Sequence, residues 1–222
     1  MATRKSSTAV PSAKAKRAAA APASYHHGDL RNALIEAAQA LLAERGVDGF
    51  TLRECARRAG VSHGAPAHHF GDVTGLLSAV AARGFQRLSD TMARYAEAAG
   101  GDARARLLAS GLAYIDCALE YPATFQLMFR CALTDPGREF LGSTADAAYK
   151  ALAAGLRAAH PRFRDTPEAD LLPDLLLRWS AVHGLVTLIL EGQLDAQLGK
   201  RTRAQFGREI GRKMLEAMNA QA

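Results

Sequence analysis

An all-α fold follows from three features of this 222-residue sequence. Apolar residues recur at helical spacing from Leu30 almost to the C-terminus. Alanine and leucine dominate a hydrophobic content of 49%, a balance that favours helices over strands. No segment alternates apolar and polar residues with the period of two that a half-buried strand requires. The length allows one or two helical domains around a sizeable core.

Leu30, Leu34, Ala37, Ala38 and Leu41 mark one face of a first helix, with Asp29 as its cap and Gly46 as its stop. Thr51-Leu-Arg-Glu54 has the form of a capping box and opens a short second helix that ends at Gly60. Ser62 is the expected cap of a third helix ending near Phe70. Asp72 caps a long fourth helix carrying Val73, Leu76, Leu77, Val80, Phe85, Leu88 and Met92. Gly100-Gly101 breaks the pattern, which places a domain boundary near residue 96. Leu108, Leu112, Ile115 and Leu119 form the next helix, stopped by Pro122, which opens another holding Phe125, Met128, Phe129 and Ala132. Thr134-Asp-Pro-Gly137 reads as a turn, followed by a helix from about Thr144 to Ala159 and a loop from His160 to Pro167. An apolar helix then starts near Asp170, with Pro173 in its first turn, and runs through Leu176, Trp179, His183, Val186 and Leu190. Thr202-Arg-Ala-Gln205 is a second capping box, opening a last helix with Phe206, Ile210, Met214 and Ala217.

Composition removes several function classes. No stretch reaches 18 consecutive apolar residues, which argues against a membrane span. Cys55, Cys117 and Cys131 are too scattered for a disulfide framework and form no CxxC pair, so a reducing, cytoplasmic setting is expected. The net charge of +6 is unevenly spread: residues 1–24 carry five Lys/Arg and no acid, residues 25–95 eight basic and seven acidic, residues 96–222 fifteen of each. The excess therefore sits in a tail without large apolar residues, which cannot bury enough surface to order itself. Such a tail suits an arm lying along DNA phosphates; its missing acids also match a transit peptide.

Residues 51–70, TLRECARRAGVSHGAPAHHF, carry the strongest functional signal. Two short helices flank a turn, with Ala56 small where they cross and Gly60 free to take a left-handed backbone. Val61 plugs the space beneath. The second helix then projects Ser62, His63, Gly64, Ala65, His68 and His69, and Thr51 and Arg53 head the helix before it. A helix presented this way fits the DNA major groove.

From YHHGDLRNALIEAA through GVDGFTLRECARRAGVSHGAPAHHFGDVTGLLSAV, residues 25–90 resemble the N-terminal domain of TetR-type transcriptional regulators. The resemblance implies a DNA-binding domain over residues 25–95 and a homodimeric regulatory domain over residues 96–222. It implies that Thr51, Ser62, the third helix and the amide end of the fourth meet double-stranded DNA. Two positions depart from the family pattern: Ala67 stands where an aromatic is usual and Val73 where lysine is common, both frequent phosphate contacts. Further on, Trp179-Ser-Ala-Val-His183-Gly184, with EYPATFQLMF upstream, resembles a regulatory-domain subtype marked by a Trp-x-x-x-His-Gly helix. Trp179 and His183 share a helix face. With Leu112, Ile115, Phe125, Met128 and Phe129 they are candidates for the wall of a pocket for a small apolar effector, or for plain core. Gly207-x-x-x-Gly211 lets a helix approach closely, and with the Trp179 helix is expected to build a dimer interface. Twofold symmetry would then call for a near-palindromic operator.

Competing chemistries are weaker. Gly60-Val-Ser62-His-Gly64 matches the G-x-S-x-G elbow of serine hydrolases, which works only on a turn leaving a strand, whereas LRECARRA before it reads as helix. His26, His27, His63, His68 and His69 could suggest a metal, but neighbouring helical side chains point about 100° apart, so no metal and no cofactor are expected. Cys117 and Cys131 are candidates for oxidation only if they are exposed. A repressor released from its operator by a small molecule and a constitutive DNA-binding factor without effector both fit the sequence. Deleting residues 1–24 is expected to weaken operator binding and flatten its salt dependence, measured by fluorescence anisotropy from about 50 to 200 mM salt; unchanged affinity would take the tail out of the account.

Overall fold

The computed structural model describes the backbone of residues 27–134 and 138–221 and the side chains of residues 30–130 and 147–220. The basic tail, Asp135–Gly137 and the Cys131 thiol lie outside that range, whereas Asp29 is a correction: α1 already begins at His27, so Asp29 stands in its first turn and is not its cap. Ten α-helices and one 3₁₀ turn are present among the described residues, and no strand. The helices are α1 (His27–Arg45), α2 (Leu52–Arg58), α3 (Ala65–Phe70), α4 (Val73–Ala98), α5 (Ala103–Glu120), α6 (Pro122–Thr134), α7 (Arg138–Ala159), α8 (Glu168–Leu190), α9 (Asp195–Leu198) and α10 (Arg203–Gln221), with the 3₁₀ turn at Pro161–Phe163.

The capping signals act largely as expected. The Thr51 hydroxyl accepts from the Glu54 amide, and Asp72 accepts from the Gly75 amide. At α10 the box is complete: Gln205 N–H donates to the Thr202 hydroxyl while Gln205 Oε1 accepts from the Thr202 amide. Ser62 is a correction: the cap of α3 is Gly64, with no side-chain hydrogen bond. Pro66 in the first turn brings no amide, so one fewer donor needs a cap. Other boundaries also move. α7 begins at Arg138 rather than near Thr144, and α8 begins at Glu168, which makes Pro173 an interior residue. The short α9 carries no apolar repeat that would betray it.

α4 is the axis of the molecule. It packs on α1, α5, α6 and α7, and one hydrophobic core runs from Leu34 and Leu41 through Leu76, Val80 and Phe85 to Ile115, Val186 and Leu215. A second cluster, with Leu156, Phe163, Leu171 and Leu175, joins α7 to α8. α10 lies across α5, where Arg208 forms an ion pair with Asp116 and donates to the Tyr95 hydroxyl. Gly207 and Gly211 are spent on this packing. A Cβ on Gly211 would stand 2.2 Å from Ile115 Cδ1, and one on Gly207 would meet Leu119 and Ile115. The glycine pair is thus an intrachain seam rather than the dimer contact the spacing suggested.

Two glycines place α3. At Gly60 φ is +70°, the Val61 amide bonds to the Ala56 carbonyl at 3.0 Å and the Gly60 amide to the Arg57 carbonyl at 3.2 Å, which is a Schellman ending of α2. Ala56 beneath is fully buried. Gly75 in α4 is different, since a Cβ there would lie 2.0 Å from the Phe70 carbonyl oxygen, so the end of α3 rests directly on the backbone of α4. Gly60→Ala should cost about 1–2 kcal/mol of stability through left-handed strain. Gly75→Ala should cost at least as much, about 1–3 kcal/mol, and also displace α3. Urea denaturation measures both, and wild-type stability in Gly75→Ala would refute the close seat.

Candidate nucleic-acid interface and cavity

The residues proposed from sequence for DNA contact gather at the α2–α3 end of the molecule. Thr51, Arg53, Ser62, His63, Gly64 and His68 are exposed, while Ala65 and His69 are half-buried. His68 and His69 meet edge to face with ring centroids 5.3 Å apart. Val73 is 39% exposed at the head of α4, and Ala67 is exposed on α3, so both unusual positions lie on the same end.

The arginines here are mostly committed. Arg57 makes two hydrogen bonds to Glu54, at 2.8 and 2.7 Å, and Arg58 two to Glu44, at 2.7 and 2.6 Å. The Arg57 bonds, aided by the nearby charges of Arg57, Arg45 and Arg58, hold the Glu54 carboxyl down at about 2. Arg53 has no ion pair among the described residues. Cys55 is buried, donates to the Leu34 carbonyl and has its thiol pushed up to about 11 by burial, which makes it unreactive. Burial raises Cys117 as well.

Behind this end lies a cavity of about 440 Å³, open to one side and lined by α4, α5, α6, α7, α8 and α10. Phe85, Leu88, Met92, Leu107, Leu152 and Val182 supply much of its apolar wall. Its volume falls within the roughly 300–1,000 Å³ common for small-molecule sites. Of the seven pocket candidates named from sequence, Phe129 and Trp179 line it. Phe125, Phe129, Trp179 and His183 come together in one aromatic cluster, with the Phe129 and His183 centroids 4.5 Å apart and the Phe125 and His183 centroids 5.6 Å apart. Leu112 and Ile115 sit in the continuous core, and Met128 packs towards Gly84 on the far side of α4.

Sequence reasoning missed Tyr114 and Arg178, both on the wall. Tyr114 was hidden in an apolar repeat. Arg178 had a legible signal, a single cation between Asp174 and Glu191 in an otherwise apolar helix. Trp179 Nε1–H donates to the Tyr114 hydroxyl at 3.3 Å, and that hydroxyl lies 2.9 Å from His183 Nδ1. Indole nitrogen can only donate, so the Tyr114 oxygen accepts from Trp179 and joins the indole to the His183 ring. Burial raises the Tyr114 phenol and lowers the His183 imidazolium, which keeps both neutral.

The geometry defines a helix-turn-helix protein whose short, exposed second helix is braced by a long helix that also walls a cavity. Comparison with known proteins agrees. Residues 34–80 match the family described as bacterial regulatory proteins, tetR family, and residues 107–212 match the tetracyclin repressor-like C-terminal domain. The chain is 39% identical over 79 residues to the HTH-type transcriptional regulator BetI of Stenotrophomonas maltophilia, a match that covers 36% of this chain and 40% of that relative. A solved structure of a protein with unknown function from a Rhodococcus species is 32% identical, with a TM-score of 0.70, and the match covers 87% of this chain and 97% of that one. The TetR family transcriptional regulator PfmR from Thermus thermophilus shares the fold at 19% identity and a TM-score of 0.60, with 82% of this chain and 97% of that one covered. The chain belongs to the TetR family of bacterial transcriptional regulators.

The burial of His183 predicts an acid-sensitive wall. Because the folded pKa of His183 lies below 6.5, the unfolded chain binds more protons just under that value. Stability should therefore fall as pH drops below 6.5 towards the lowered folded value. A series of melting temperatures from pH 7 to about 5 would show this slope, and His183→Gln should reduce it. An identical slope in the variant would remove His183 from that role.

Proposed function

We propose that this protein represses transcription by binding a near-palindromic DNA operator as a homodimer, and that a small molecule in the cavity releases it. The observation that carries this reading is the double duty of α4. At its start, Gly75 receives the end of α3; from its middle onward, Phe85, Leu88 and Met92 wall the cavity. The two places lie about 20 Å apart along one continuous helix, at roughly 1.5 Å per residue.

The outer face of α8 supports the dimer. Leu172, Leu177 and Leu188 are each more than 40% exposed, and Leu177 reaches 58%. α8 is also the one helix among the described residues long and apolar enough to cross a bilayer. A second copy of α8 packed on this stripe accounts for the same leucines in a cytoplasmic protein. A hydrolase reading finds little support: Gly60-Val61-Ser62-His63-Gly64 follows the helix α2 and leads into α3, so no strand delivers Ser62 to an elbow.

Genomic footprinting would yield the operator, on which the surface can be tested by anisotropy. Arg53→Ala should weaken binding to all sequences alike and lower the salt slope by about 1. His68→Ala should cost about 1–3 kcal/mol on the operator and relax its sequence preference. Unchanged binding in both would show that DNA is read elsewhere, and release of DNA by no ligand would favour a constitutive factor.

A further inference from the structure

Arg178 is the one charged side chain buried among the described residues, at 4% exposure, and it lies on the cavity wall. A buried guanidinium ordinarily pairs with a carboxylate. Here every hydrogen-bond partner is neutral: Asn219 Oδ1 at 2.7 Å, the Met218 carbonyl at 3.3 Å and His160 Nε2 at 3.4 Å. His160 is itself fully buried and kept neutral by burial and by the surrounding arginines. Asp174, one turn back on α8, hydrogen-bonds to Arg162 at 3.4 Å, and its charge reaches Arg178 without a hydrogen bond to it. Arg106 also faces the cavity, while no aspartate or glutamate among the described residues lines it.

The cavity is therefore apolar over most of its wall and cationic at Arg106 and Arg178, with no carboxylate among its described lining residues. We propose that it takes an amphipathic monocarboxylate, its apolar body against Leu88, Met92, Leu108 and Leu152 and its carboxylate against Arg178. The planar guanidinium suits a carboxylate because two parallel N–H bonds can reach both oxygens. The Met218 carbonyl, in the last turn of α10, offers a competing role for Arg178 as a simple helix-end tie. Only a ligand preference separates the two. The proposal rests on reading the cavity as a ligand site, and its test needs no DNA.

Trp179 is the only tryptophan of the chain and lines the cavity, so its emission reports occupancy directly. The full-length protein is titrated with decanoate, decanol and decylammonium, which share a chain length and differ in charge. Decanoate should shift Trp179 emission to the blue and bind at least tenfold more tightly than decanol, with decylammonium weakest. In Arg178→Gln, decanoate should fall to the affinity of decanol while decanol is unchanged, which also shows that the cavity is intact. Arg178→Lys keeps the charge but not the planar fork, so it should lower the preference for decanoate over decanol while leaving decanol binding unchanged, and serves if the glutamine variant does not fold. No binding of decanoate, equal binding of decanol by the wild type, or a preference that survives Arg178→Gln would overturn the assignment. If decanoate binds with this preference yet leaves DNA bound, it is the release mechanism that fails, and the anion seat stands.

Discussion

The contact between the Phe70 carbonyl and Gly75 is the constraint on which the molecule's use depends. A helix of six residues cannot hold itself, because isolated helices shorter than about 12–15 residues are marginal in water. α3 keeps its shape and direction because α2 ends in a left-handed turn on one side and α4 offers a bare backbone on the other. Neither support tolerates an ordinary side chain. The exposed surface of α3 is thereby fixed relative to a 26-residue rod whose far half belongs to another part of the protein.

The fold was legible where local chemistry and tertiary packing agreed. Thr51, Asp72 and Thr202 capped the helices that their spacing announced, and Gly60 adopted the backbone its position required. Legibility failed where packing alone decided. Gly75 looked like an inert residue inside a helix, and only the approach of Phe70 gives it meaning. Gly207 and Gly211 advertised a close helix contact correctly, yet the spacing could not say whether the neighbour was α5 of the same chain or a partner. The cavity was the hardest feature, because Leu88, Met92 and Leu107 read as core in one dimension. Whether an apolar stripe meets another stripe or leaves a gap depends on side chains far apart in sequence.

Charge is distributed with the same economy. Glu54 of α2 and Glu44 of α1 absorb Arg57 and Arg58, and the second of these pairs ties α2 to α1. These exposed pairs add little to stability, and among the described residues Arg53 stays outside them. At the other end the balance reverses, with Arg178 buried among neutral partners. A protein that bonds its surface arginines to carboxylates and its buried one only to neutral groups has left its electrostatic demand at the cavity.

These two ends communicate only if α4 has somewhere to go. A ligand that fits the cavity equally well in both shapes of the protein shifts nothing, however tightly it binds. What matters is whether occupying the space beside Leu88 and Met92 favours one tilt of α4. Because Phe70 rests on Gly75 without slack, a tilt there carries α3 with it. In a dimer held along α8, the same tilt changes the distance between two reading surfaces that must match successive turns of the duplex, roughly 34–36 Å apart. The coupling is reciprocal, so DNA that holds the two α3 helices at that spacing must weaken the ligand by the factor by which the ligand weakens DNA. On this reading the tight seat at Gly75 does more than position α3: it makes the cavity and the operator competitors for one conformation.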